Sequence, residues 1–468
     1  MKKIKYSIIA LSTLAMLYSS GCQKQLDIKP QNSVESDLAL KTAKDVKGVL
    51  VGAYTAAGLS GLYGGRLQAT TDFLADDGDF QYQGTFSDYT ELDNKTVTIN
   101  NGFVEGVWNA GFNTIGVCNT VLANLNLVEA TGRAEVEGEA KFLRGMTYFD
   151  LARAFGRAWN DVNGSPTTNL AVPLVLTPTT TIAGIQKPKR NTVAEIYAQA
   201  IADLTTAEAN LPLAGSNPPT ANSSCASAVL ARIYLTQGKY DLAETEATKI
   251  ISSGLFELVK NFADEFQHPP QATRVFNSAE DIFAIQISPQ SGFNALNEVY
   301  ASSDFAGRGE TIIFDQHLAR YEAGDDRANE FYDVFTSKFN NSFGNVITIR
   351  LAEIYLIRAE ARLLKATPDL AGAADDINVI RNRAKLANTT ATTKDDLFAA
   401  VKQERRVELP FEGFRLGDLK RYKEETHSID GDGNPVEAFQ WNSPKLIFPI
   451  PKRERDANPN LTQNEGYQ

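Results

Sequence analysis

The chain has 468 residues, with 46 Lys and Arg against 57 Asp and Glu, a formal net charge of -11. That surplus of acid argues against nucleic acid as a partner, because binding phosphates wants a basic face. An apolar fraction of 43% and an aromatic fraction of 9% are those of a chain able to bury a core.

Lys2, Lys3 and Lys5 precede an apolar stretch from Tyr6 to Tyr18 and then Ser19-Ser20-Gly21-Cys22. A basic start, a short apolar run and small residues before a cut site read as an export signal over 1–21. The run is too short to span a bilayer comfortably. Small residues directly before a cysteine resemble a bacterial lipobox, which makes Cys22 the expected lipidation site, and several acyl chains give stable attachment. Residues 22–36 are polar, and the Lys29-Pro30 step disfavours helix before it. They read as a tether onto a single body over 37–468, since no later linker splits the chain.

Helical periodicity dominates that body. In 139–155, Phe142, Met146, Phe149 and Ala152 form one stripe with Tyr148, Leu151 and Phe155 beside it. A face that wide implies burial between helices. The 192–211 stretch opens with Thr192 and Glu195 in a capping-box pattern and repeats Ile196, Ala200, Leu204 and Ala207. Helices over 226–237 and 240–251 form a pair broken at Gly238, and those over 351–364 and 371–386 a pair divided by Pro368. In 228–243, small residues fall where two helices must approach, and Tyr234 and Tyr240 can plug the gap between them. Such pairs resemble tetratricopeptide units, which bury their faces only by stacking. The expected fold is therefore mainly α.

Two segments, 58–101 and 259–345, break the pattern with Gly, Asn, Pro and short apolar runs, and read as loops with short strands. Irregular segments on a rigid scaffold are where binding tends to live. The first holds Asp77, Phe80, Tyr82, Phe86 and Tyr89 among acids and amides; the second holds Phe293, Asn294, Asn297 and Tyr300. Sugar rings have an apolar face and a hydroxyl rim, so aromatic platforms beside carboxylates and amides suit them. The competing reading is that these aromatics pack the loops onto the scaffold. Trp108, Trp159 and Trp441 are the only tryptophans, which speaks against a starch-like aromatic arc.

Glu404 and Glu408 lie four apart on one helical face. A glycosidase pair must flank its scissile bond, so two carboxylates on one side do not fit that chemistry. Interleaved with Arg405 and Arg406 and followed by Glu412, Arg415, Asp418 and Arg421, they read instead as a paired ion network. Arg350, Glu353, Arg358 and Glu360 read the same way. Counting from Asp430, an EF-hand would need Gly at Pro435 and Glu at Trp441, so 430–435 is expected to be a turn and a structural calcium has no support. His268, His317 and His427 are isolated, and no nucleophile elbow, phosphate loop or dinucleotide fingerprint occurs. Neither a catalytic residue nor a metal or cofactor is nominated. Cys118 and Cys225 are expected as buried free thiols rather than a disulfide.

The stretch ERRVELPFEGFRLGDLKR over 404–421 and FPIPKRERDANPNLTQNEGY over 448–467 resemble the C-terminal signature of the SusD/RagB family. Leu26 to Pro30, Lys141 to Leu151, Val172 to Leu174, Arg190 to Tyr197 and Gly324 to Arg327 match other parts of that family in chain order. The resemblance implies a SusD-like tetratricopeptide-type scaffold with long loop and short-strand insertions. It implies attachment to outer-membrane lipid through acylated Cys22, facing outward, and no catalysis. The expected ligand is an extracellular oligo- or polysaccharide, with peptide as the RagB-like alternative. The expected partner is a SusC-like TonB-dependent barrel over which the chain closes as a lid. A tetratricopeptide-type interaction scaffold is the remaining alternative; it needs no lipid anchor.

Overall fold

The computed structural model describes residues 40–180, 184–213, 220–266, 277–290 and 292–467. The export signal, Cys22, the tether, the Leu26–Pro30 motif and His268 lie outside the described residues. In chain order come α1 (Ala43–Ala57), α2 (Arg66–Ala75), β1 (Phe80–Tyr82), α3 (Ser87–Asp93), α4 (Gly102–Ala123) and α5 (Ala130–Phe155). Next are α6 (Val193–Asn210), α7 (Ser223–Thr236), α8 (Tyr240–Ser253), β2 (Asp281–Ile285), α9 (Ala295–Tyr300), β3 (Thr311–Ile313) and α10 (Asp315–Leu318). The remainder is β4 (Phe331–Tyr332), β5 (Phe335–Thr336), β6 (Val346–Arg350), α11 (Leu351–Leu364), α12 (Leu370–Arg383), α13 (Lys394–Glu408), α14 (Arg415–Tyr422), β7 (Thr426–Ile429), β8 (Pro435–Phe439) and α15 (Lys452–Ala457).

The helices stack in sequence: α4 packs on α1 and α5, α5 on α6, α6 on α7, α7 on α8, α8 on α11, and α11 on α12 and α13. Small residues permit this. A Cβ on Gly145 of α5 would stand 3.0 Å from Leu204 Cγ and 3.1 Å from the Ala200 oxygen of α6. The apolar stripe of α5 is fully buried, with Phe142 edge-on to Phe283 at 5.0 Å and Phe149 edge-on to Tyr197 at 5.3 Å. The capping box that starts α6 is formed: Glu195 N donates to Thr192 Oγ1 at 3.2 Å and Thr192 N to Glu195 Oε2 at 2.8 Å. Gly238, at φ +70°, turns α7 into α8. Tyr234 and Tyr240 pack against the core from either side of that turn.

One expectation needs correcting. Residues 58–101 hold two helices, α2 and α3, and a single three-residue strand, β1. Every residue of α2 after Arg66 is buried, so the helix has no polar face and leaves no period to read. The described residues of 259–345 carry strands β2 to β5 and short helical turns. Residues 430–434 are the turn of the β7–β8 hairpin, where Asp430 Oδ1 accepts from Asp432 N at 2.9 Å and Asn434 N at 2.8 Å. Cys118 and Cys225 are free and buried, and burial pushes both thiols up to about 12.

Charges from β6, α12, α13 and the 325–338 stretch form one buried network. Arg350 reaches Glu280 at 2.9 Å, Glu408 at 2.6 Å and Glu412 at 2.8 Å. Arg327 reaches Asp325 at 2.7 Å, Glu404 at 2.8 Å and Glu408 at 3.1 Å. Arg383 bridges Glu280 and Glu408, while Lys338 meets Glu412 at 2.7 Å. Burial alone would raise Glu408, but Arg383, Arg350 and Arg327 hold its carboxyl well below the usual range. Further along α11, Glu353 pairs with Arg232, Arg358 with Asp376 and Glu360 with Arg421. The network therefore ties the irregular 325–338 stretch and the start of β2 to the helical scaffold.

Candidate functional site

The two irregular segments meet in one sheet. Strand β1 pairs antiparallel with β3, placing Phe80 opposite Ile313 and Tyr82 opposite Thr311. On its other side Ile313 N donates to the Val334 oxygen at 2.9 Å, bringing in the β4–β5 hairpin. Beneath the sheet, Phe73 of α2 gathers an aromatic cluster: Phe80 at 5.0 Å, Tyr82 at 5.9 Å, Tyr89 at 4.9 Å and Tyr300, stacked, at 5.9 Å.

That cluster decides the fate of most sequence-nominated residues. Phe80 is 4% exposed, Tyr82 6%, Tyr89 1% and Tyr300 0%, so none offers a ring face to a ligand. They pack the loops onto α2, the competing reading of their sequence pattern. Asn294 and Asn297, each 2% exposed, are likewise consumed. Asn294 Oδ1 accepts from Leu296 N at 2.9 Å, capping α9, and its Nδ2 donates to the Gly344 oxygen at 3.2 Å. Asn297 Nδ2 donates to the Phe305 and Phe339 oxygens at 3.0 and 2.6 Å. All six have internal structural duties.

Three nominated residues reach the surface. Asp77 turns towards the β7–β8 hairpin, where its Oδ1 accepts from His427 N at 3.0 Å and lies 2.9 Å from His427 Nδ1. Phe293 is 41% exposed beside Phe343 at 42%, on strands of chain joined by Asn294 N donating to the Ser342 oxygen at 2.8 Å. Phe86 is half-buried, and the Arg308 guanidinium lies 4.4 Å above its ring.

Arg308 is itself aimed by its neighbours. Its Nε and Nη2 donate to Glu310 at 2.6 and 2.7 Å, and Nη2 also reaches Thr85 Oγ1 at 3.1 Å. Tyr82 OH donates to Glu310 Oε2 at 2.8 Å and accepts from Phe86 N at 3.1 Å. Hydrogen bonds from Arg308 hold the Glu310 carboxyl below its ordinary value despite some burial. Burial pushes the Tyr82 phenol up to about 12, which keeps it a donor. On the adjoining β4–β5 hairpin, Tyr332 is 43% exposed, its ring edge-on to Phe305 at 5.1 Å and its OH donating to Asp304 Oδ2 at 2.9 Å. Arg308, Glu310, Phe305 and Tyr332 were not nominated from sequence. Glu310 and Tyr82 are 228 positions apart, and no local pattern encodes their meeting.

The surface thus presents aromatic rings, a guanidinium and carboxylates with solvent access. All three tryptophans pack against the core instead. Glu404 and Glu408 are buried within the arginine network, away from this surface.

The family model described as "SusD family" matches residues 327–467, and that described as "Starch-binding associating with outer membrane" matches residues 24–235. The chain is thus similar to the SusD family in both its N-terminal and its C-terminal part. Among similar proteins, SusD-like protein P2 of Formosa agariphila is 27% identical, with all of both chains covered. The Starch-binding protein SusD of Bacteroides thetaiotaomicron is 35% identical over 122 residues, 25% of this chain and 21% of that one. A crystal structure of a putative sugar binding protein from Bacteroides vulgatus superposes with a TM-score of 0.77 at 28% identity, covering 92% of this chain and 100% of that one. A SusD superfamily structure from the same organism, at 23% identity, superposes with a TM-score of 0.79 over 92% of this chain and 100% of that one, showing the SusD-like fold. The description of the family places it at the outer membrane. Among the described residues no helix is long and apolar enough to cross a membrane.

Proposed function

We propose that this SusD-like protein is a cell-surface lipoprotein that captures an extracellular oligo- or polysaccharide and delivers it to a SusC-like TonB-dependent barrel. The observation that carries the reading is the surface made where β1 meets β3. Phe86 with Arg308, and Tyr332 with Phe305, give apolar edges for sugar faces; Arg308, Glu310 and Asp304 give donors and acceptors for hydroxyls. The family description and the sugar-binding and starch-binding names of its relatives support the same ligand class.

In this reading Cys22 carries the lipid that tethers the chain, facing outward, and the body closes over the barrel as a lid. A ligand can drive that closure only by binding the closed arrangement more tightly than the open one. In this reading the protein performs no reaction, and the carboxylates of Glu404 and Glu408 serve to neutralise buried arginines. Calorimetric titration of the mature chain against neutral glycans and peptide pools tests this. Heat from a glycan supports it, whereas a response to peptides alone transfers the protein to a RagB-like role.

A further inference from the structure

The C-terminal signature buries a lysine that the binding function does not use. Lys420, in the last turn of α14, is 8% exposed. Its Nζ has one acceptor, the Arg153 carbonyl oxygen, at a long 3.5 Å. Among the described residues no carboxylate stands within ion-pairing distance of it. The contrast is Lys338, equally buried, which has the Glu412 carboxylate at 2.7 Å and the Glu408 and Pro410 oxygens at 3.1 and 3.2 Å. A buried ammonium without such partners is costly, and the amine form is favoured instead.

Lys420 borders a cavity of about 40 Å³ whose walls include Asp150, Arg153, Arg157, Trp159 and Tyr197. That exceeds the roughly 10–15 Å³ that a single water needs on the same measure, so the cavity has room for a small group. Its walls are rich in cations. Arg157 is matched by Asp161 at 2.9 Å, and Arg421 by Glu360 at 2.8 Å and Asp418 at 2.9 Å. Arg153 is met only loosely: its Nε stands 3.7 Å from Asp150 Oδ1, and the other Asp150 oxygen accepts from Tyr63 OH at 2.9 Å. Lys420 thus borders a small space beside a guanidinium whose nearest carboxylate stands 3.7 Å away.

We propose that Lys420 is a reversible carbamylation site, where Nζ adds carbon dioxide and the carbamate occupies this cavity beside Arg153. The Nζ lone pair forms a bond to the carbon of carbon dioxide, and one C=O π pair moves onto oxygen. The nitrogen then releases a proton to solvent, so a neutral amine becomes a carbamate of charge -1. Burial, followed by repulsion from Arg153, pulls the Lys420 ammonium down to about 7 against the attraction of Asp161, so the reactive amine is populated near neutral pH. The new carboxylate offers Arg153 a closer partner than Asp150 at 3.7 Å and joins α14 to α5.

The test is carbon-13 NMR of the mature protein equilibrated with carbon-13 bicarbonate near pH 8. Methylation of any carbamate oxygen followed by peptide mass spectrometry then locates it. The expected result is one protein-bound carbamate carbon, mapped to Lys420, absent in Lys420→Arg and lost on acidification. Arg153→Gln keeps the lysine and should weaken the bicarbonate dependence about tenfold, the weight of one charge-assisted hydrogen bond. That variant serves if Lys420→Arg does not fold. A wild-type spectrum without a bound carbamate at saturating bicarbonate, or a carbamate mapped to another residue, overturns the proposal.

Discussion

Arg350 grips Glu408 twice: its Nη1 donates to Glu408 Oε1 at 2.6 Å and its Nη2 to the Glu408 carbonyl oxygen at 2.7 Å. The same carboxylate also receives Arg327 and Arg383, so one residue of α13 anchors β6, α12 and the 325–338 stretch. The C-terminal motif is therefore a fastening for the irregular 325–338 stretch, next to the proposed ligand surface.

Glu408→Gln should destabilise the fold by about 3–5 kcal/mol, because it leaves buried guanidiniums under-neutralised. Urea denaturation reads this directly. A midpoint equal to wild type would show that the network is not a fastening.

Tyr300 and Tyr332 separate packing from binding. Tyr300→Ala should cost about 3–5 kcal/mol, as expected on emptying a buried aromatic site. Tyr332→Ala, at a 43% exposed position, should leave stability within about 0.5 kcal/mol of wild type and weaken glycan binding. The reverse pattern in melting and titration would contradict the assignment of surface and core.

Stability should fall as pH rises from about 4 to 7. Burial pushes Asp72 from 3.8 up to about 7, although Gly413 N donates to it at 2.7 Å. Asp281 is raised to about 7, Asp76 to about 8 and Asp93 to about 6. In that window the unfolded chain has released protons that the folded chain keeps, so each such group's contribution is full below pH 4 and lost as pH climbs through its folded value. His317, lowered by burial, opposes this, as do carboxylates that arginines hold low, such as Glu408, at the acid end of the window. Asp72→Asn should flatten the slope in melts run across the range. An unchanged slope would exclude Asp72 as a source.

Replacing Cys22 by Ala should move the chain from the membrane fraction to the soluble fraction. Retention in the membrane would contradict the lipid anchor.

The fold was legible wherever a helix had one dry face. Phe142, Met146 and Phe149 announce α5, and Thr192 with Glu195 announce the start of α6. Helix α2 stayed hidden because burial on all sides erases periodicity. The ion network was legible from alternating signs around Glu404 and Glu408, although its partners Arg327 and Glu280 could only be found in three dimensions. The site was legible least. Local sequence cannot tell a platform from packing, so Tyr300 and Asn297 looked like Phe86 until burial separated them. Arg308 meets Phe86 because β1 pairs with the distant β3, and the Tyr332 hairpin joins them where Ile313 N bonds the Val334 oxygen; neither meeting leaves a local trace.

The most direct measurement is calorimetric titration of one responding neutral glycan into wild type and into a Phe86→Ala, Tyr332→Ala double variant whose melting is unchanged. The account predicts binding to wild type and a loss of about tenfold or more in affinity in the variant, since aromatic contacts of this kind contribute about 0.5–1.5 kcal/mol each beyond area burial. Equal affinity in both would contradict it, placing glycan capture away from the surface where β1 meets β3.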